Sequence, residues 1–207
     1  MLAIWITAAA VYAAFRGWYD NWGGKLTKAE IDAFLARSKA NGADQHNDLS
    51  VIEAFFSQDD GREFFMLNLV RLHPGDVPDP VTGKPTPGRE LMQRYSNPFI
   101  RRLFLRGGHP ALAARPIGGY VDAWDAPPNP GWTIVGYMRY RSRRDLMILA
   151  GDPSFKDIHQ FKIAATDTTF SFPTRPMIMT LMGPRIWVGL VIALVAALAQ
   201  IAVMALG

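Results

Sequence analysis

The sequence predicts an α+β fold: one domain with the element order strand, helix, strand, strand, helix, strand, a helical lead-in before it, and a membrane-spanning helix at each end. Three observations lead there. All 22 basic and 18 acidic residues fall between residues 16 and 185, so both ends are uncharged and apolar. Between residues 63 and 172, β-rich runs alternate with capped amphipathic segments. Clusters of Gly, Pro, Asn and Asp separate those runs where turns are required.

Residues 186–207 hold no charge and a single amide, Gln200. As a helix rising ~1.5 Å per residue the segment is about 30 Å long, the thickness of a bilayer's hydrocarbon core. We assign residues 186–206 to a transmembrane helix with Trp187 at its interface, and Gly189, Ala193, Ala196 and Ala197 as small residues that let a neighbouring helix approach. Residues 1–15 are also uncharged. Extended past a snorkelling Arg16 to residue 19, they make a first span, with Trp18, Tyr19 and Trp22 as its aromatic belt. A signal peptide is the rival reading, but the basic residue follows the apolar run instead of preceding it. Arg16, Lys25 and Lys28 follow the first span, and Arg175 and Arg185 precede the second. The positive-inside rule then predicts a two-pass protein of the bacterial inner membrane with its middle domain in the cytoplasm.

A net charge of +4, spread over both signs, is no nucleic-acid footprint. With no cysteine, the chain has no disulfide, thiol nucleophile or Cys-ligated metal. The four histidines, His46, His73, His109 and His159, form no His-x-x-x-His pair, and no metal or other cofactor is expected.

In the lead-in, residues 20–61, Thr27-x-x-Glu30 is a capping box opening a helix that Asn41-Gly42 ends, and a second helix begins near Asp48 or Ser50. The domain proper covers residues 62–175. Residues 63–72 (EFFMLNLVRL) read as a strand apolar on both faces. Residues 73–88, with five prolines and three glycines, read as a long loop. Residues 89–106 are helical, with Pro98 dividing the helix in two. A loosened strand over 111–124 and a turn over 125–131 lead to the alternating strand 132–141. A helix capped by Ser142 follows, is interrupted at Gly151-Asp152-Pro153, and gives way to a short strand over 168–172. This order is the ferredoxin-like split β-α-β arrangement. Two helices cover only one face of such a sheet. The other face, read as Phe64, Met66 and Val70 with Trp132, Ile134, Met138 and Tyr140, is expected to be buried by the lead-in or by a second copy in a homodimer, with the lead-in preferred.

FFMLNLVRL, the Tyr95-Ser96 helix ending in LFLRGGHP, WTIVGYMRYRSRRDLM and DPSFKDIHQFKIAA together resemble the dimeric α/β-barrel superfamily. They are most similar to its small members of unknown function, relatives of the antibiotic-biosynthesis monooxygenases. The resemblance covers residues 63–173 and implies a pocket around the open face of the sheet and the helix bearing His159. No residue here matches the haem-ligating histidine of the haem-binding relatives, and the terminal spans and lead-in depart from the soluble family.

Three groups are candidates for chemistry. His159, at the edge of an apolar stripe, would serve acid–base work if it titrates near neutral pH; the plainer reading is a surface or hydrogen-bonded histidine. Asn68 is either a substrate donor or a satisfied buried amide. Arg139, Arg141, Arg143 and Arg144 either hold an anion or form a solvated charged face. With no catalytic constellation at recognisable spacing, the expected function is an accessory subunit of an integral membrane complex, photosynthetic or respiratory. The alternative is a membrane-tethered, cofactor-independent enzyme or ligand-binding module for a hydrophobic small molecule.

Overall fold

The computed structural model describes residues 1–20, 24–42, 46–180 and 182–206, which fall into two compact units: Lys25–Arg175, and the two termini, Met1–Gly24 with Pro176–Gly207. Trp22 lies outside the described residues.

The terminal unit is a pair of antiparallel helices, α1 (Leu2–Tyr19) and α7 (Pro184–Leu206). They are joined by hydrogen bonds from Trp5 Nε1 to Gln200 Oε1 (2.6 Å) and from Tyr12 OH to the Arg185 carbonyl (2.8 Å). At one end Asp20 accepts from both Arg16 and Arg185, at 2.7 Å each. At Gly189 the helices pack tightly: a Cβ there would stand 3.2 Å from Tyr12 Cε2. Ala196 is buried, whereas Ala193 is exposed. Tyr19 is buried too, stacked on Phe15 at 5.3 Å with the Arg185 guanidinium over its ring, whereas Trp18 and Trp187 are exposed. Of the two predicted spans, α7 alone among the described helices is long and apolar enough to cross a membrane, with a mean hydropathy of 2.6. Arg16 and its aromatic neighbours dilute α1 below that level.

In the Lys25–Arg175 unit, the lead-in is α2 (Lys28–Ala40) and α3 (Leu49–Ser57). The capping box is formed: the Thr27 side chain accepts from Glu30 N, and Glu30 reaches back to Thr27 N (2.8 Å). Asp48, not Ser50, caps α3. The sheet holds β1 (Phe64–Leu72), β4 (His109–Ala114), β5 (Ile134–Tyr140) and β6 (Thr166–Thr174) in the order β4-β5-β1-β6, every neighbour antiparallel. That is the strand order of a split β-α-β fold.

Four elements differ from their sequence reading. The expected loop 73–88 contains a small hairpin, β2 (Asp76–Pro78) with β3 (Pro85–Pro87). Its turn is organised by Asp79, whose carboxylate accepts from Val81 N (2.8 Å) and Thr82 N (3.2 Å) and pairs with Arg94. Prolines are tolerated because each strand has only one partner. Next, α4 (Gly88–Leu105) runs unbroken through Pro98. An interior proline costs about 3 kcal/mol, but Leu91, Phe99 and Leu103 bury along one face of α4, at about 1.5 to 3 kcal/mol each, and hold both halves in line. Finally, β4 stops at Ala114, and residues 115–133 form an irregular arm, while β6 is longer than expected because β1 pairs with it from Phe65 to Leu72.

The helices α4, α5 (Arg143–Ala150) and α6 (Pro153–Ala165) lie on one face of the sheet. They cover Phe64, Met66, Val70, Ile134, Met138 and Tyr140, all of the set expected to remain open except Trp132. The Phe64 and Tyr140 rings stack at 5.0 Å in the centre of this core. The lead-in does not cover the sheet. Ile31, Phe34 and Phe56 pack on Met147 of α5, and Phe55 meets Phe64 at the edge of the core (5.2 Å).

Candidate functional site

The uncovered face of the sheet follows from alternation and register. Leu67 lies between Tyr137 and Phe172, and Leu69 between Val135 and Phe170, while Leu112 extends the row on β4. Phe170, Phe172 and Leu112 keep 56%, 47% and 50% of their surface exposed. Exposed large apolar groups in a contiguous row mark a surface that binds something.

At one end of this face the arm curls back to enclose a half-open pocket of about 470 Å³. Its walls are Leu69 and Val135 from the sheet and Pro116, Tyr120, Asn129 and Trp132 from the arm. Trp132 is held from two sides: its Nε1 donates to Tyr120 OH (3.1 Å), and its ring stands edge-on to Phe170 (5.5 Å). Asn129 Oδ1 accepts from Gly131 N (2.8 Å), which shapes the lip. No charged side chain lines the pocket.

The residues singled out in the sequence lie elsewhere. His159, on α6, stacks on Phe155 (5.4 Å) and leans toward Tyr95 (6.1 Å). Burial, reinforced by Lys162 and His46, pushes its pKa down to about 4. It is therefore neutral at pH 7 and does not switch there. Burial also lowers Lys162, whose ammonium faces the Tyr95 ring at 5.7 Å. Asn68 is a satisfied amide: Nδ2 donates to the Met66 carbonyl (2.9 Å) and Oδ1 accepts from Ser171 Oγ (2.9 Å).

The arginines do not converge. Arg139, 3% exposed, pairs with Glu63 near the end of the open face away from the pocket. Arg141 makes a two-pronged bond to Asp145 (2.8 Å each), which also accepts from Ser142 Oγ. Arg143 binds the Phe55 carbonyl; Arg144 pairs with Glu30 and donates to the Lys25 carbonyl (2.8 Å). Arg143 and Arg144 staple the lead-in to α5. Among the described residues no group of three or more His, Cys, Asp or Glu side chains is placed to hold a metal ion.

Tyr120, Asn129 and Trp132 were not legible as a site, because the arm is rich in Gly and Pro and has no periodicity for a sequence argument to use. Trp132 alone carried a signal, as the aromatic head of an alternating strand.

No family model and no curated protein matches this chain. Among solved structures it is similar to the RPA0582 protein of Rhodopseudomonas palustris, described as of unknown function: 22% identity, TM-score 0.53, 64% of this chain and 96% of that one. The methylated form of RPA0582 gives 21%, 0.55, 65% and 96%. A NIPSNAP-like domain protein from Burkholderia xenovorans follows at 16% and 0.37, covering 59% of this chain and 92% of that one. The likeness to RPA0582 establishes a shared fold: a four-stranded antiparallel sheet with its helices on one side.

Proposed function

We propose that this chain is a membrane-anchored accessory subunit whose Lys25–Arg175 unit docks a partner protein on the open face of its sheet. One observation carries the reading: Leu67, Leu69, Leu112, Phe170 and Phe172 form an apolar surface that no helix of their own unit covers and that the arm meets only at its Leu69–Phe170 end. At ~25 cal/mol per Å², a few hundred Å² of such surface is worth several kcal/mol to whatever buries it. The apolar α7 supplies the anchor, with α1 paired to it by the Trp5–Gln200 bond as the second arm of a two-pass hairpin in the bacterial inner membrane. Gentle detergent extraction of wild type and of a Phe170→Glu/Phe172→Glu variant, followed by mass spectrometry, tests this. Stoichiometric integral-membrane partners that are lost with the variant support docking; identical copurification rejects it.

The pocket at Trp132 favours a second reading, a membrane-tethered module that binds or converts a hydrophobic small molecule. A purified homodimer carrying a bound small molecule and no other protein would put this reading first.

A further inference from the structure

Resting on that second reading, we infer that the pocket between the arm and the sheet is a binding site for a neutral, largely apolar ligand that presents a hydrogen-bond acceptor, a carbonyl or ether oxygen. Its volume, about 470 Å³, lies in the ordinary range for small-molecule sites. The charge of the ligand follows from the lining. Leu69, Val135, Pro116 and Trp132 offer apolar surface, and no acidic or basic side chain lines the cavity. A charged ligand would lose its hydration there without gaining a counter-ion.

The polarity of the contact follows from which hydrogen-bonding groups are already engaged. The Trp132 N–H is spent on Tyr120 OH, and Asn129 Oδ1 is occupied by Gly131 N. Each of these oxygens keeps a second lone pair, but the side-chain groups of the lining with no partner at all among the described residues are the Asn129 Nδ2 amide and the Tyr120 hydroxyl proton, both donors. These two groups lie in one wall, so a ligand oxygen is met by donors while the rest of the molecule lies against Leu69 and Val135. The Trp132 contacts to Tyr120 and Phe170 hold that wall in place before any ligand arrives, which limits the ordering cost of binding.

Benzophenone, a neutral photoreactive ketone, tests the site in the purified full-length protein because adducts are mapped by peptide. Adducts should concentrate on residues 116–135. An excess of 1-acetylnaphthalene should suppress them, naphthalene should do so less, and 1-naphthoate should not. Asn129→Asp keeps the oxygen that accepts from Gly131 and removes the donor, and should lower the yield about ten-fold. Leu69→Trp, which fills the cavity from the sheet, should abolish it, with circular dichroism confirming the fold of both variants. Labelling at 116–135 that resists both substitutions, or that naphthalene and naphthoate suppress equally well, overturns the ligand class. Adducts wholly outside 116–135 overturn the site; if native mass spectrometry still finds a small molecule on the protein, the ligand-binding reading survives without it.

Discussion

The two faces of the sheet are built from the same strands and differ in what happens to them. On one face Phe64, Met66, Val70, Met138 and Tyr140 lie under three helices; on the other Leu67, Leu69, Leu112, Phe170 and Phe172 meet no helix of their own unit, and the arm reaches only Leu69 and Phe170. Both are apolar, so side-chain chemistry does not separate the structural face from the binding face. The difference lies in which side the connecting helices take. The helix α7 repeats the contrast on a smaller scale, with Gly189 against Tyr12 and Ala193 exposed.

The sharpest way to break the contrast is to truncate one residue on each face. Leu103→Ala on α4, whose side chain packs on the covered face and is 1% exposed, should cost about 2–5 kcal/mol in denaturant unfolding. Leu112→Ala on the open face should cost less than about 1 kcal/mol, since the lost surface is half in water already. Equal losses would mean that the open face is covered in the purified protein. On α7, Gly189→Leu drives a side chain into Tyr12 and should loosen the helix pair by about 1–3 kcal/mol, whereas Ala193→Leu should be silent. Disulfide trapping between cysteines at positions 5 and 200, in a chain with no native cysteine, reads this directly.

Two pH effects sharpen the comparison further. His159 is held near pKa 4 by burial between α4 and α6, below its ordinary value. Its neutral form therefore contributes stability that is complete above about pH 6.5 and lost as pH falls toward 4. Histidine NMR should give a midpoint near 4, and His159→Gln should flatten the acid limb of the stability curve; a midpoint near neutrality would reject the buried placement. Glu30, hydrogen-bonded by Arg144 and then by Thr27, is held at about 2. That contribution is present above about pH 4.5 and lost as pH falls toward 2, and it is the smallest effect because the carboxylate is 38% exposed. Protection factors in α2, which remove the intrinsic pH dependence of amide exchange, should fall over that window in the wild type and stay nearly level in Glu30→Gln.

What could be read from the sequence alone was whatever rests on neighbours a few residues apart. The Thr27–Glu30 box, the Ser142 cap, the break at Gly151-Asp152-Pro153 and the apolar length of α7 are local, and all are present in the structure. The strand-helix order, and from it the sheet topology, follows from the same short-range signals. The tertiary structure decided the rest. The strand FFMLNLVRL is apolar on both sides, so its alternation defines two faces without saying which one the helices take. Pro98 should have broken α4 by local preference, and the buried row from Leu91 to Leu103 overrode it. The arginine group left an anion site and a solvated charged face both open because three of its partners, Glu63, Phe55 and Glu30, lie 76 to 114 residues away along the chain. The pocket at Trp132 exists because an irregular arm returns to the sheet, and a segment without periodicity carries no local pattern that specifies where it ends up.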